Sequence, residues 1–533
     1  PVTEVSEVLR LQGGVTVDSD GGIHMRGGRT SEVSYMVDGV PMSDLYDGGI
    51  GVQIENDNIQ ELQVISGTFN AEYGRALTGV VNMVTKDGGN HFEGSVHTYA
   101  GDYQSSDKTY NNLNNLNMED DYSISGSLSG PILKDKITFY SSGRINQSKG
   151  WLNGLQTFTI YGDTVFNDEN NNRYLDGNEQ QKDPYYKGLN WHSSWSTQNK
   201  VTFNLLKGTT FKINTILNSR ESQDYNFALQ LLEDAQITNF NHGRFLGLSI
   251  SHTLSPTSFL QLNISENKYN YESYLFEDPL DDRYITPDSL FLARLENRIP
   301  DHIIEQYGDQ VQYFPAYSLY RAGVDNRRFE RETKTNNYKL DFTSQINKYN
   351  QLKFGLDFSS HSLMLDKYSL LDSTLTDQVY TPIIPNKESF TRSYYIRKPT
   401  EFAIYAQDKI EYGDMIINLG LRYESFNPNA KIPNNIHEPY IKDPRNPALD
   451  TLSLEQLETI NWGDISYTEI DSNGNEVSYT YADYYSRFND QPDLNQKTGW
   501  WKNTTVKSLL SPRAAVAYPI SDKGVIHFAY GYF

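Results

Sequence analysis

The sequence lacks several features that mark common classes of protein. Its 533 residues include no cysteine, which excludes thiol catalysis, disulfide bonds and cysteine-ligated metals. No run approaches the roughly 20 apolar residues of a membrane-spanning helix, so helical membrane proteins are excluded. Basic residues are few: 46 against 68 acidic residues give a net charge of −22, which argues against nucleic acid as a partner.

Signatures of enzymes are missing as well. The sequence contains no Gly-x-Ser-x-Gly elbow, no His-Glu-x-x-His pair and no phosphate-binding Gly-Lys-Ser/Thr loop, so we expect no enzyme. It begins at Pro1 without a methionine or an apolar signal segment, and we expect an incomplete or processed N-terminus. What the chain has in quantity is aromatic residues: 39 tyrosines and 24 phenylalanines are too many for a disordered acidic chain.

The first 90 residues differ from the rest in being rich in paired glycines, such as Gly27-Gly28 and Gly88-Gly89. Apolar spacing predicts one helix at Thr3–Leu11, and a tight turn is expected at Asp38-Gly39. Short strands are predicted at 34–37, 59–65 and 80–85. Residues 1–90 therefore form, on this evidence, a small mixed α/β domain.

From residue 91 to 533 the pattern changes to alternation of polar and apolar residues with a period of two, which is typical of strands. About 13 strands are predicted from this pattern in the sequence. They lie at 92–102, 121–131, 137–147, 196–206, 209–219, 244–254, 258–268, 335–346, 351–362, 401–411, 415–425, 511–518 and 524–533. Alternation alone suits a soluble sandwich as well as a membrane barrel.

The connections between these strands distinguish the two folds. Short turns, such as 207–208 and 255–257, alternate strictly with long segments, such as 148–195 and 426–510. Strands of about ten residues with short turns at one end and long loops at the other are typical of an antiparallel, up-and-down transmembrane β-barrel. Aromatic residues near the strand ends fit interfacial girdles, although ordinary cross-strand packing would also explain them.

Several segments resemble one known family. In the N-terminal domain they are Met25–Gly28, Tyr35–Pro41, Ile59–Gly67, Ala71–Gly74 and Gly79–Lys86. In their order and spacing they are similar to the plug domain of TonB-dependent outer-membrane receptors. Three later segments are similar to barrel strands of the same family, namely Tyr405–Lys409, Leu419–Glu424 and Leu510–Arg513.

This resemblance implies a plug in the lumen of a 22-stranded barrel, a size at which plugged barrels occur. Because only about 13 strands are predicted here, we expect an incomplete barrel that lacks several C-terminal strands. The resemblance also implies the outer membrane of a Gram-negative bacterium, with its lipid and the TonB energy-coupling complex as partners. A nutrient ligand of unknown class and a surface lipoprotein would be further partners.

Three functions remain open at this point. The first is active uptake of a scarce nutrient, such as a siderophore, oligosaccharide, peptide or cofactor, captured by loops 148–195, 269–334 and 426–510. The second is a surface-exposed binding or assembly protein, an adhesin or anchor, whose plug stays shut. The third is a soluble all-β protein.

One loop has the spacing of a calcium site. The twelve residues from Asp168 to Glu179 place candidate ligands at Asp168, Asn170, Asn172, the Tyr174 carbonyl, Asp176 and Glu179. Arg173 stands where glycine normally makes the sharp turn, and no flanking helix is evident. We therefore expect either a structural Ca²⁺ site or an acidic, solvated loop.

Three positions in the plug are interpreted as structural rather than catalytic or ligand-binding. Arg26 and its neighbouring glycines are expected to shape the plug, and Arg26 could pair with a carboxylate of the barrel wall. Asp38-Gly39 is interpreted as a turn rather than an acid catalyst. The Glu72-Tyr73-Gly74 segment is interpreted as structural rather than ligand-binding.

Overall fold

The structure is a computed structural model. It describes residues 5–18, 22–66, 70–75, 77–107, 112–114, 116–156, 158–160, 186–232, 235–281, 283–284, 319–320, 323–371, 382–387, 391–433, 466–470, 476–480, 501–521 and 524–532.

The N-terminal domain contains one short helix and a four-stranded mixed sheet. Its elements are α1 (Val5–Leu9), β1 (Val15–Val17), β2 (Ile23–Met25), β3 (Val33–Val37), β4 (Val40–Pro41), β5 (Ile59–Ser66) and β6 (Gly79–Thr85). The sheet order is β4-β3-β6-β5, with β3 and β6 parallel, and β1 and β2 pair separately. All three strands predicted for this domain are present, and the predicted helix ends at Leu9 rather than at Leu11.

The strands of the barrel wall follow, together with small strands in the long connections. They are β7 (Glu93–Gly101), β8 (Asp121–Leu133), β9 (Ile137–Ser148), β10 (Asn153–Leu155), β11 (Tyr186–Gly188), β12 (His192–Leu206), β13 (Thr209–Ser222), β14 (Thr238–Ser255), β15 (Ser258–Tyr274), β16 (Arg327–Gln345), β17 (Asn350–Ser369), β18 (Arg392–Arg397), β19 (Thr400–Tyr412), β20 (Met415–Asn427), β21 (Lys431–Pro433), β22 (Ser466–Ile470), β23 (Glu476–Thr480), β24 (Trp501–Asn503), β25 (Lys507–Ser521) and β26 (Gly524–Gly531).

One large antiparallel sheet forms the wall. Its order is β26-β25-β20-β19-β17-β16-β15-β14-β13-β12-β9-β8-β7, and β18 pairs with β17. Neighbours in space are thus neighbours along the chain, apart from the small strands of the long connections. Each of the thirteen predicted barrel strands overlaps one strand of this order, and short turns alternate with long connections as predicted. The up-and-down topology follows from that alternation.

The two faces of the wall have opposite chemistry. On β17, Phe354, Leu356 and Phe358 point outward and are exposed, whereas Ser359 and His361 point inward and are buried. The inner face carries polar side chains, among them Ser125, Gln198, Lys200, Asn214, Asn337, Lys339 and Arg422. Exposed apolar side chains on one face and buried polar ones on the other are the pattern of a wall surrounded by lipid, as predicted.

The outward face becomes charged toward the long-loop end of each strand. On β16, Tyr338 and Phe342 lie in the apolar band, but Glu332 and Lys334 follow nearer the loop end. The Nζ atom of Lys334 lies 2.6 Å from Glu266 Oε2, and that of Lys268 lies 2.7 Å from Glu332 Oε2. These cross-strand ion pairs extend the wall beyond the apolar band, where water replaces lipid.

The two larger apolar clusters lie inside the sheet and among the external loops, respectively. The first is the core of the N-terminal domain, which buries Tyr35, Val37, Val81 and Met83 almost completely. The second joins several long connections through Phe158, Leu229, Phe276, Tyr284 and Leu370. Tyr284 is fully buried, and its hydroxyl donates to the Phe276 carbonyl at 3.2 Å. The described parts of the external loops are therefore packed against one another.

A second compact unit comprises Lys398–Thr400 and Phe426–Lys507. Within it β21 pairs with β24, and β22 pairs with β23 as an antiparallel hairpin. Among the residues that the structure describes, no helix is long and apolar enough to cross a membrane.

Candidate functional site

The N-terminal domain meets the wall through charged groups of opposite sign. The domain contributes mainly carboxylates and the wall mainly cations, with Arg75 and Glu401 reversing the pattern. The carboxylates are Asp38, Asp44, Asp47, Glu55, Asp57, Glu72 and Asp87, and their wall partners are Arg144, Lys200, Lys212, Arg331 and Lys353. Because partners lie on strands from β9 to β19, the sheet curves around the domain, which lies on the lumen side as predicted for a plug.

Lys200 on β12 holds the end of the plug. Its Nζ atom lies 2.8 Å from Asp87 Oδ1 and 3.3 Å from Asp38 Oδ2, and it donates to Thr85 Oγ1 at 2.9 Å. A buried ammonium group costs several kcal/mol unless it is paired in this way. Burial opposes ionisation of Asp87, but Lys200 and Lys212 outweigh it and lower the pKa of this carboxyl. The plug end is thus held as an ionised cluster.

The Asp38-Gly39 turn has a second role beside turning the chain. Both residues have positive φ angles, 49° and 80°, so the turn between β3 and β4 is formed as predicted. The Asp38 carboxylate accepts from the Thr85 backbone N–H at 2.9 Å and from Asn214 Nδ2 at 3.1 Å. One side chain therefore joins two parts of the plug to the wall.

The Ala71–Gly74 segment packs against β17, β19, β20 and β25. Glu72 forms an ion pair with Lys353, and its backbone N–H donates to Gln407 Oε1 at 3.3 Å. Arg513 Nη1 donates to the carbonyls of Asn70 at 2.8 Å and Tyr73 at 2.6 Å. Burial would raise the pKa of Glu72, but the nearby lysines outweigh it and lower this pKa. The structural interpretation of this segment agrees with these contacts.

The plug arginine that pairs with the wall is Arg75, whereas Arg26 lies in a turn of the plug, as expected, and forms no pair with a wall carboxylate in the described ranges. Arg75 pairs with Glu401 on β19, and its Nη2 atom lies 3.2 Å from His361 Nε2. Arg26 has a φ of 53° in the turn after β2, and its side chain is exposed. In the described part of the chain it forms no ion pair, because this turn presents it to solvent.

Residues Ser43–Ile50 form an apical loop, closed by a bridge between its two ends. The buried Arg331 of β16 holds it, with Nη1 at 2.9 Å from Asp44 Oδ2 and Nη2 at 2.9 Å from Asp47 Oδ2. The guanidinium also lies 4.4 Å from the ring centroid of Tyr46. Burial, together with the neighbouring Asp47, raises the pKa of Asp44 despite this arginine. Ionisation of Asp44 therefore costs more than ionisation of a carboxyl in water.

An outer cavity of about 340 Å³ lies between the plug and the loop end of the wall. Its plug side is Ile50, Gly51, Gln53 and Glu55, and its wall side includes Arg144, Ser196, Asn218, Arg220, Asn239, Asn241, Tyr269 and Tyr271. Amide, hydroxyl and phenol groups dominate the wall side. Such a lining offers many hydrogen bonds to a polar ligand and few contacts to an apolar one.

The predicted calcium ligands, Asp168, Asn170, Asn172, Tyr174, Asp176 and Glu179, all lie outside the described residues. The calcium site therefore stays a prediction. Within the described ranges, no group of three or more His, Asp or Glu side chains is arranged to hold a metal ion.

Sequence reasoning missed the wall cations that hold the plug. Lys200 is the single lysine or arginine on the lumen-facing row of β12, where Gln198 and Thr202 are its neighbours, whereas Arg331 shares the lumen-facing row of β16 with Lys339. A cation on a lumen-facing row was the available signal. Its acidic partners lie far away in sequence, so the pairing itself was not visible.

Comparison with known proteins agrees with this geometry. The model of the family described as TonB-dependent Receptor Plug Domain matches residues 1–81. A stretch of 132 residues is 31% identical to the TonB-dependent transporter Oar of Myxococcus xanthus. This match covers 22% of the chain and 12% of that relative.

Solved structures share the fold over 99% of the chain. The ferric citrate transporter FecA, in its unliganded form, is similar with a TM-score of 0.55 at 12% identity, and 60% of it is covered. The outer membrane transporter YddB from Escherichia coli is similar with a TM-score of 0.55 at 10% identity, and 66% of it is covered. The chain thus spans about three fifths of these structures, and identity this low supports the fold alone.

Proposed function

We propose that the chain, whose N-terminal domain matches the plug domain of TonB-dependent receptors, serves energy-dependent uptake of a nutrient across the outer membrane of a Gram-negative bacterium. The nutrient would enter from the loop side and bind in the outer cavity above the plug. The TonB energy-coupling complex would then displace part of the plug to open a path. A lipoprotein that covers the external loops stays a prediction.

The observation that carries this proposal is the charge-paired surface between plug and wall. Lys200, Arg331 and Lys353 each face a plug carboxylate, and water can replace such partners when the surfaces separate. Separating two apolar surfaces would instead cost roughly 25 cal/mol of free energy for each Å² exposed to water. A plug that never moves would be held best by apolar contacts with the wall. The polar surface therefore favours a plug that moves.

The identity of the nutrient is a separate question. By their printed names, two similar structures are transporters of ferric citrate and of copper. These names support a ligand as small as ferric citrate or a copper ion for this chain. A siderophore, oligosaccharide, peptide or cofactor would each enter by the same path.

Locking the plug to the wall tests the proposal. A β-carbon at position 420 on β20 would lie 2.7 Å from the Ala71 β-carbon, and a disulfide needs about 3.8 Å. The pair Ala71→Cys and Gly420→Cys should therefore join after a shift of about 1 Å, and the chain has no other cysteine to interfere. We expect uptake of mixed labelled nutrients to stop when the pair is oxidised and to return on reduction.

Each single cysteine variant serves as the control and should transport under both conditions. Uptake is measured in cells with and without a working energy-coupling complex. Binding at the surface without uptake in either background would contradict the proposal and would favour the adhesin or anchor.

A further inference from the structure

One row of inward-facing side chains crosses the wall at the level of the outer cavity. Strand register places Ser194 opposite Arg220, Arg220 opposite Asn241, and Asn241 opposite Tyr271. Tyr271 in turn lies opposite Arg331. The row thus contains two arginines three strands apart, about 14 Å at a strand spacing of about 4.8 Å.

These two arginines differ in what they bind. Arg331 is shared by Asp44 and Asp47 of the plug. Arg220 lines the outer cavity, yet its side chain has no ion pair or hydrogen bond to any residue in the described ranges. Two further inward-facing arginines are also engaged: Arg144 pairs with Glu55, and Arg422 pairs with Glu424.

The carboxylates of the cavity are already occupied. Glu55 pairs with Arg144 and also accepts from Ser196 Oγ at 2.8 Å. Asp224 accepts from Asn239 Nδ2 at 3.0 Å. Arg220 therefore presents its guanidinium to the cavity, where an anionic oxygen group would complete its hydrogen bonds.

We infer that the ligand of the outer cavity carries a carboxylate or phosphate group and that Arg220 binds this group. The inference rests on the proposed function, since it names the ligand chemistry of the same cavity. Asn218 Oδ1 and Asn241 Nδ2 would meet the remaining polar groups of the ligand, since the other amide atom of each is bound to Gln53 and Tyr269 respectively. At about 30 Å³ per water, the cavity holds on the order of ten non-hydrogen atoms, which sets the size of this part of the ligand.

Matched pairs of small probes test the inference by calorimetric titration of the purified chain in detergent. N-acetylalanine is compared with its amide, and glycerol 3-phosphate with glycerol. We expect at least one anionic probe to bind at least tenfold more tightly than its neutral partner. The pair whose anionic member binds more tightly than its neutral member identifies the carboxylate or the phosphate as the group that is bound.

Substitutions then locate the site. Arg220→Gln should weaken the anionic probe about 10- to 100-fold, the range expected for losing a charged hydrogen-bond pair, and Arg220→Lys should recover part of it. Arg244→Gln is the matched control because Arg244 points outward from the neighbouring strand and pairs with Glu266. Because Arg220 holds no partner in the described structure, thermal unfolding of Arg220→Gln should match that of the unsubstituted chain.

Two results would overturn the inference: no preference for either anionic probe, or a preference that survives Arg220→Gln. These results are independent of uptake. Anion binding that persists in a chain without energy-dependent uptake would overturn the proposed function and leave the inference standing. Energy-dependent uptake without a preference for anionic probes would overturn the inference and leave the proposed function standing.

Discussion

The plug and the barrel wall bury opposite kinds of side chain. In the plug, Val37, Val81 and Met83 are 0% exposed and form an ordinary apolar core. In the wall, Gln198 is 0% exposed on the inside, whereas Phe528 is 71% exposed on the outside. The plug is a water-soluble fold, and the wall is built for lipid outside and a polar lumen inside.

This difference dictates how the two parts can be joined. Most apolar side chains of the plug lie in its core, and most of those of the wall face lipid, although Ile216 and Phe245 of the wall pack against the plug core. The surface between the two parts is therefore largely polar, and Lys200, Arg331 and Lys353 supply its specific contacts. Substitutions in each part test that division, from the largest expected effect to the smallest.

Removing the buried ammonium of Lys200 should have the largest effect. We expect Lys200→Met to destabilise the plug by about 3–5 kcal/mol, because Asp38 and Asp87 lose a buried partner. The free energy of plug opening is measured from the rate at which the buried Val81→Cys reacts with a thiol reagent. Lys212→Met is the control and should cost about 1 kcal/mol or less, since Lys212 is one-third exposed. Equal effects would contradict the cluster described here.

A charge on the outer face should destabilise the wall without changing the stability of the plug. Leu356 points outward within the apolar band, so Leu356→Arg should cost about 2–4 kcal/mol in urea unfolding from lipid vesicles. Asn336→Arg lies on the same face but next to the charged end of β16, and we expect a cost of about 0–1 kcal/mol. A similar cost for both would place the lipid boundary elsewhere.

Acidification should distinguish the contribution of the plug's ionic contacts to stability from that of its apolar core. The lowered pKa of Glu72 means that its contribution to stability is complete above its usual value of 4.5 and is lost as the pH falls through the lowered value. The difference in plug opening between the unsubstituted chain and Glu72→Gln should therefore be constant from pH 7 to pH 5 and shrink below about pH 4. Thiol trapping at Val81→Cys with a dithiodipyridine reagent measures it. A difference that grows on acidification would refute the assignment.

Calcium should have the smallest effect. If the loop from Asp168 to Glu179 binds Ca²⁺, removing the ion with a chelator should lower the thermal unfolding midpoint by a few degrees, since a loop site orders only its own segment. Asp168→Asn together with Glu179→Gln should abolish that response. A shift that persists in this variant would place the ion elsewhere, and no shift in either chain would favour a solvated acidic loop.

Much of the fold was predictable because its signals are local. Alternation with a period of two and the order of short and long connections predicted the thirteen strands and the membrane barrel. The plug match and the relative Oar confirm the predicted resemblance to TonB-dependent receptors and, with it, the outer-membrane location, and the similar structures confirm the plug-and-barrel fold. The division at residue 90, the calcium site and the nutrient stay predictions.

The strand ends were less well predicted, and the largest errors have one direction. β16 was predicted at 335–346 but spans Arg327–Gln345, and β12, β13, β14, β15 and β17 are also longer at the loop end. Beyond the lipid, Glu330, Glu332 and Lys334 replace apolar residues on the outward face, so alternation no longer marks the strand. Hydrogen bonds to neighbouring strands continue it.

The sequence by itself determined the strands, their faces and the membrane environment, because each depends on residues close together in the chain. Only the tertiary structure decided that Arg75 rather than Arg26 reaches the wall, and that Lys200 joins Asp38 to Asp87. It also decided that Arg220 is left facing the outer cavity. These pairings join residues up to 326 positions apart, and ionic contacts depend on distance in space, which a local pattern does not encode.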